Sequence, residues 1–428
     1  MMTNTYLPHV GGVARSVQTF TEEYRKLRHK VLVVAPSFGE VIGNDAAPEE
    51  GVVRVPALQQ FHGSDFSVSL PLTALFNQTI DEFGANVIHS HHPFLLGDTA
   101  LRIGANKHVP VVFTHHTLYE EYTHYVPFNS DALKQFAIEL STEYANLCDA
   151  VIAPSESIAT LIKRRGVKVP VTIIPTGIDA PAFASGNGVA FRKAMGIPPK
   201  RFAVGHVGRL APEKNLNFLT RAVARFLKRS VNGVFLVVGA GPLEAEMRRI
   251  FSERGLPDRL CLAGKRIGQE LYDSYAAMDV FVFSSFSETQ GLVVAEAMAA
   301  GLPVVALDAS GVREVVRNGK NGFLLRADTD TASFAACLAD LKAKKELRGD
   351  LRKGAFRTAR KFSRARCAEK ALDFYELIRM ATRSERQAAR ADIWTGLLRR
   401  AEVEWGLLTE KTKAAVNSLF SETERQET

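Results

Sequence analysis

Short apolar runs of strand length recur along the chain, with helical stretches between them. Residues 30–35, 86–90, 109–114, 150–153 and 171–174 form a first set, rich in valine, isoleucine and other apolar residues. Near-continuous apolar runs, rather than alternating ones, are what parallel strands covered on both faces require, and the intervening helices supply the crossovers. The pattern restarts after residues 183–189, with runs at 202–207, 233–238, 259–263, 280–284 and 303–307. The reading is α/β, with two doubly wound domains joined near residue 185. Such sheets bind ligands at the carboxyl ends of their strands, so a two-domain version places its site in the cleft between domains.

Two segments depart from the pattern. Only Met1–Thr5 precede the turn-like Leu7-Pro8-His9-Val10-Gly11-Gly12, short for an interior strand; the expectation is that a few more apolar residues are encoded upstream of Met1. Beyond residue 384, Trp394, Leu397, Leu398, Ala401, Trp405 and Leu408 recur at helical spacing, one apolar stripe beside Arg399 and Arg400. Residues 384–428 therefore read as an amphipathic helical tail. The stripe packs on the protein's own surface, or serves membrane docking or self-association.

Composition narrows the class. With 46% apolar and 23% charged residues over 428 positions, the chain has the make-up of a globular protein with a core, not of a disordered one. The longest apolar stretch, residues 291–307, is interrupted by Glu296 and is too short to span a bilayer; no leader pattern opens the chain. Cys148, Cys261, Cys337 and Cys367 are far apart with no CxxC pair, which suggests neither a disulfide framework nor a zinc finger and fits a reducing cytoplasm. The net charge of +8 is unevenly placed: residues 1–190 carry −5, residues 191–340 +5 and residues 341–428 +8. Ten of the eleven histidines lie between His9 and His124. The basic excess is thus not a nucleic-acid footprint spread over one face; it belongs to the second half, where a phosphorylated ligand would be held.

The candidate chemistry lies just after two strands of the second domain. In Ser284-Ser285-Phe286-Ser287-Glu288-Thr289-Gln290-Gly291-Leu292, a strand ends, a polar loop carries Glu288, and a helix opens with the N–H groups of Gln290, Gly291 and Leu292, an anion-binding arrangement. A carboxylate beside an anion site makes sense when it accepts hydrogen bonds from hydroxyls attached near a phosphate, as a sugar presents. Glu296, about a turn and a half further on, suits a second diol such as a ribose. Read as structure alone, the two glutamates are helix-start residues. The second constellation, Gly208-Arg209-Leu210-Ala211-Pro212-Glu213-Lys214-Asn215, puts two fixed cations in a glycine-bearing loop, which suits a diphosphate; taken alone it is a solvated loop.

Glu288 with Glu296 eight positions on, the Gly208–Asn215 loop, Ile174-Pro175-Thr176-Gly177-Ile178-Asp179 between the domains, and Gly11-Gly12-Val13 together resemble the retaining glycosyltransferases of family 4, of GT-B fold, over residues 1–382. The resemblance implies that Arg209 and Lys214 hold the donor diphosphate, Glu288 binds hydroxyls of the transferred sugar, and Glu296 binds the ribose. It further implies that Gly12 lets the first-domain loop approach the diphosphate, and that His116 contacts the sugar near the reacting carbon. Gly208, Gly239, Gly241, Lys265, Gln290, Gly291 and Leu292 would line the donor pocket. It divides the chain into an acceptor-side domain, 1–184, a nucleotide-sugar domain, 185–366, and a helix, 367–383, crossing back to the first. The segments 91–97 and 114–127, with Glu288-Thr289-Gln290-Gly291, are most like the diacylglycerol glucosyltransferase branch, which implies a UDP-linked glucose donor, a lipid acceptor, and His91, His92, Tyr119 and Tyr122 on the acceptor side. A lipid acceptor implies a cytoplasmic enzyme peripheral on the inner membrane face. Attraction to anionic lipid is roughly 1 kcal/mol per basic residue, so the Lys163-Arg164-Arg165-Gly166-Val167-Lys168 run gives reversible binding.

No second carboxylate is aimed at the sugar, so double displacement through a covalent intermediate is not indicated. Arg209, Lys214 and the loop amides are suited to stabilise a departing diphosphate. Neither a metal nor a cofactor is required, the nucleotide sugar being a co-substrate. Three alternatives compete: the same transfer to a soluble sugar, sugar phosphate or polysaccharide precursor; a noncatalytic nucleotide-sugar or membrane-binding module; and a metal hydrolase built on His89, His91, His92, His115 and His116. The last leaves Arg209, Lys214 and Glu288 unexplained.

Overall fold

The structure is a computed structural model; it describes residues 1–9, 11–37, 50–58, 68–69, 74–121 and 130–381. Tyr122, the amphipathic stripe beyond residue 384 and the last residues of the 367–383 segment lie outside these.

The first domain is a parallel sheet. Val52–Val55 pairs with Val33–Pro36, and Ile88–Ser90, Val111–Thr114, Ala150–Ala153 and Val171–Ile173 follow one another on the other side. The short amino-terminal segment joins the two halves: Met2 bridges Val34 on one side and Ser90 on the other, and the Met2 N–H donates to the His89 carbonyl at 2.8 Å. A three-residue stretch thus fills the central strand position. Backbone hydrogen bonds to both neighbours hold it there in spite of its shortness.

The second domain is a six-stranded parallel sheet in the order Leu260–Leu262, Gly233–Val238, Phe202–Val207, Val280–Phe283, Val304–Leu307, Gly322–Leu325. In chain order this is 3-2-1-4-5-6, and the direction of winding reverses between Phe202–Val207 and Val280–Phe283. The four inner strands are buried at every position, with one apolar cluster packed on each face of the sheet.

The chain crosses between domains twice, side by side. Ile178 bridges Ser363, and its N–H donates to the Phe362 carbonyl at 2.7 Å. A Cβ at Gly177 would stand 2.4 Å from the Arg364 Cα, so only glycine lets the crossings touch. The helix Arg364–Met380 then packs on the first domain's opening helix, Gly12–Lys26, burying Cys367, Ala368, Ala371 and Phe374 against Phe20 and Tyr24. Among the described residues no helix is long and apolar enough to cross a membrane.

Candidate active site

The reversal point of the second sheet brings the two charged loops together. The strand Phe202–Val207 delivers Gly208 to Asn215, its neighbour Val280–Phe283 delivers Ser284 to Gly291, and Lys214 Nζ meets Glu288 Oε1 at 2.5 Å. Serines sew the loops to each other: Ser284 Oγ donates to the carbonyls of Lys214 and Asn215, both at 3.1 Å, and Ser285 Oγ to that of Glu213 at 3.4 Å. Burial works to raise the Glu288 carboxyl. The Lys214 charge, with hydrogen bonds from Lys214 and Ser285, outweighs it and holds the group below its ordinary value. Arg209 projects from the same loop with its guanidinium half exposed, paired to the largely buried Glu213.

The glycine loops stack edge to edge around this pair. A Cβ at Gly239 would lie 1.8 Å from the Gly208 carbonyl oxygen, and one at Gly241 2.5 Å from that of Leu210. The Gly239 N–H donates to the Gly264 carbonyl at 2.9 Å, which sets exposed Lys265 at the rim. The helix Leu292–Ala299 starts from Gly291 in the left-handed region (φ 70°), and its first internal bonds, from Val294 and Ala295 to the Gly291 carbonyl, leave the Leu292 N–H at the opening turn. Gly311, at φ 74°, presses on this loop: a Cβ there would meet the Gln290 nitrogen at 2.6 Å.

The first domain closes on the loop from the other side. Thr289 Oγ1 donates to the His116 carbonyl at 2.8 Å. The Gln290 side chain clamps the interdomain linker, accepting from Thr176 N and donating to Thr176 O, both at 2.7 Å. Ser157 N donates to Glu314 Oε1 at 2.8 Å beyond it. Gly12 is exposed at the start of its helix, and a Cβ there would meet nothing within 4 Å. Arg15, one turn further, pairs with Glu296, whose other oxygen accepts from Tyr275 OH at 2.8 Å.

The histidines divide into two kinds. His89 is structural: Nε2 meets Thr114 Oγ1 and Nδ1 meets Tyr375 OH, each at 2.6 Å. His92 Nδ1 accepts from the Asn4 N–H at 3.1 Å, which fastens the amino-terminal strand. His91 Nδ1 and His116 Nε2 are 2.9 Å apart with stacked rings, a pair that shares one proton. Burial lowers His89 and His92 to about 3 and His115 to about 4, and holds His91 and His116 well below the ordinary range. With both His89 nitrogens hydrogen-bonded, the metal-hydrolase arrangement is not assembled. Among the described residues no group of three or more His, Cys, Asp or Glu side chains is placed to hold a metal ion. Tyr119 packs edge-on against Phe94 and His115. Of the basic run, Lys163, Arg164 and Lys168 are exposed, but Arg165 is spent on Glu120 at 2.5 Å, so three residues rather than four face solvent.

Sequence reasoning missed the three loop serines, Gln290 as a clamp, Gly311 and Arg15. Gly311 was legible as a glycine just after a strand; the others are ordinary polar residues whose partners lie far along the chain.

Two Rossmann-like domains facing a cleft, with cations, a carboxylate and a helix start at the reversal point, define a GT-B glycosyltransferase that moves a sugar from a nucleotide sugar. Models of Glycosyltransferase Family 4 and of Glycosyl transferases group 1 match residues 10–180 and 190–358. The chain belongs to glycosyltransferase family 4. It is 28% identical to the alpha-monoglucosyldiacylglycerol synthase of Acholeplasma laidlawii over 83% of this chain and 90% of the relative. It is 31% identical to a GDP-mannose-dependent alpha-mannosyltransferase of Mycobacterium tuberculosis over 76% and 82%. The crystal structure of Anabaena HepE in complex with UDP and glucose shares the fold, with a TM-score of 0.68 and 21% identity over 88% and 98%.

Proposed function

We propose that the protein transfers glucose from UDP-glucose to a hydroxyl of a membrane lipid such as diacylglycerol, with retention of anomeric configuration and without a metal. The observation that carries the donor half is the Lys214–Glu288 pair at the sheet's reversal point, a cation for the diphosphate fixed against a carboxylate for sugar hydroxyls. In this reading Arg209 and Lys214 take the diphosphate, joined by the Gly291 and Leu292 amides, while Glu296 takes the ribose. Gly12 admits the first-domain loop to the diphosphate, and Gly208, Gly239, Gly241 and Lys265 border the nucleotide. His116, kept neutral and oriented by His91, contacts the sugar. The bond from the anomeric carbon to the phosphate oxygen breaks as the acceptor oxygen bonds to the same face of that carbon. The acceptor proton passes to the departing phosphate oxygen, and the developing negative charge is met by fixed cations and amides.

The lipid acceptor is supported by the likeness to the Acholeplasma synthase over most of both chains, and Lys163, Arg164 and Lys168 offer roughly 3 kcal/mol of attraction to an anionic surface. A second reading, GDP-mannose as donor, is favoured by the higher identity to the mycobacterial relative. Incubating the protein with UDP-glucose, UDP-galactose and GDP-mannose in turn, each with a total lipid extract, followed by mass spectrometry, separates these. A hexose gain on diacylglycerol with UDP-glucose is expected. A gain confined to water-soluble molecules would refute the lipid acceptor, and one seen solely with GDP-mannose would refute the donor.

A further inference from the structure

The carboxylate proposed to take the ribose belongs to the second domain but is held by the first. Glu296 is 3% exposed and sits in the buried Ala-rich helix Leu292–Ala299. A carboxylate at that depth needs its charge met by donors, because a buried and unpaired charge is costly. Two groups answer this. Tyr275, itself buried, donates to Oε2 at 2.8 Å, and the Arg15 guanidinium reaches across the cleft from the first turn of Gly12–Lys26 to Oε1. Arg15 is 281 positions away in sequence. Each carboxylate oxygen accepts two hydrogen bonds, so one donor on each oxygen fixes the plane of the group and leaves one site per oxygen, the number that a vicinal diol requires.

We propose that Arg15 is a positioning residue for the donor: acting through Glu296, it makes recognition of the nucleotide's ribose diol depend on a cation supplied by the opposite domain. This rests on the reading of Glu296 as the ribose ligand. Its consequence is that nucleotide affinity and closure of the cleft are linked, because the carboxylate is fully set only when the helix Gly12–Lys26 stands against it. Tyr275 cannot replace Arg15, since a neutral hydroxyl does not offset the carboxylate's charge.

The test is titration calorimetry with whichever of UDP and GDP the wild-type protein binds, and with the 2′,3′-dideoxy form of the same nucleotide. Arg15→Gln should weaken the nucleotide about tenfold, the scale of a charged hydrogen bond, while leaving the dideoxy form bound as in the wild type. Arg15→Lys should recover part of the loss, and Arg15→Gln should have no further effect in a Glu296→Gln background. At saturating donor, kcat should be kept while the donor KM rises. Equal weakening of both ligands by Arg15→Gln overturns the proposal and leaves the ribose reading standing, because Arg15 would then act on the phosphates or on domain packing. If Glu296→Gln keeps the wild-type preference for the diol, the ribose reading fails, and the proposal with it. Thermal unfolding of each variant separates these losses from misfolding.

Discussion

Lys214 and Glu288 each have most of their side chain out of water, 16% and 17% exposed, so neither is content without the other. Removing one leaves an uncompensated charge, whereas neutralising both does not. Lys214→Met should therefore lower stability by up to about 3 kcal/mol and turnover by roughly a hundredfold or more. Adding Glu288→Gln should restore most of the stability and none of the activity. Denaturant melts and initial rates on the single and double variants check this, and a double variant that regained activity would show that the pair is structural. At this scale the sequence was informative where chemistry is concentrated: the Gly208–Asn215 loop and the Glu288 loop carry unusual residues at strand ends. It was silent on partners. Nothing in Gly11-Gly12-Val13-Ala14-Arg15 says that Arg15 meets Glu296, and Ser284, Ser285 and Ser287 look like loop polarity until their hydroxyls are seen bonded to the carbonyls of the facing loop.

The elements that carry the site are strand ends, and in the first domain those ends bury imidazoles. His89 lies within Ile88–Ser90 and His91 and His92 follow it, His115 and His116 follow the adjacent Val111–Thr114, and His206 lies within the strand that leads to Lys214. Their folded values lie below the ordinary one, at about 3 for His89 and His92 and about 4 for His115 and His206. The unfolded chain therefore binds more protons than the folded one as pH drops below about 6.5. Stability from these groups is complete above that pH and is lost as pH falls toward 4. Asp98, raised by burial to about 6, acts in the opposite sense, but it is one group against six. Denaturant unfolding at pH 7.5, 6 and 5 should show stability falling by more than about 1.4 kcal/mol per pH unit below 6, the limit for a single site; a flat profile would mean that the histidines are solvated. Inner strands were legible because they are apolar throughout. Two edge strands, Val52–Val55, which carries Arg54, and Gly322–Leu325, which opens on a glycine, were not, although the partly buried edges Val171–Ile173 and Leu260–Leu262 did show as apolar runs.

For the whole molecule, the two domains meet, among the described residues, through polar contacts around the cleft that include Thr289 to His116, Gln290 to Thr176, Glu314 to Ser157 and Arg15 to Glu296. Contacts of this kind, more polar than a core, suit domains that close on a ligand and reopen. The opening charge pattern agrees with this division of labour, the second domain having the positive balance that a diphosphate needs. The claim on which the rest depends is that this cleft catalyses transfer with retention, by fixed charges and no metal. Proton NMR of the glycolipid formed from UDP-glucose and diacylglycerol vesicles in the presence of EDTA tests it most directly. The account predicts an undiminished rate and a solely α-linked glucosyl product; a β-linked product, or a reaction that stops with EDTA and restarts with a divalent cation, would contradict it.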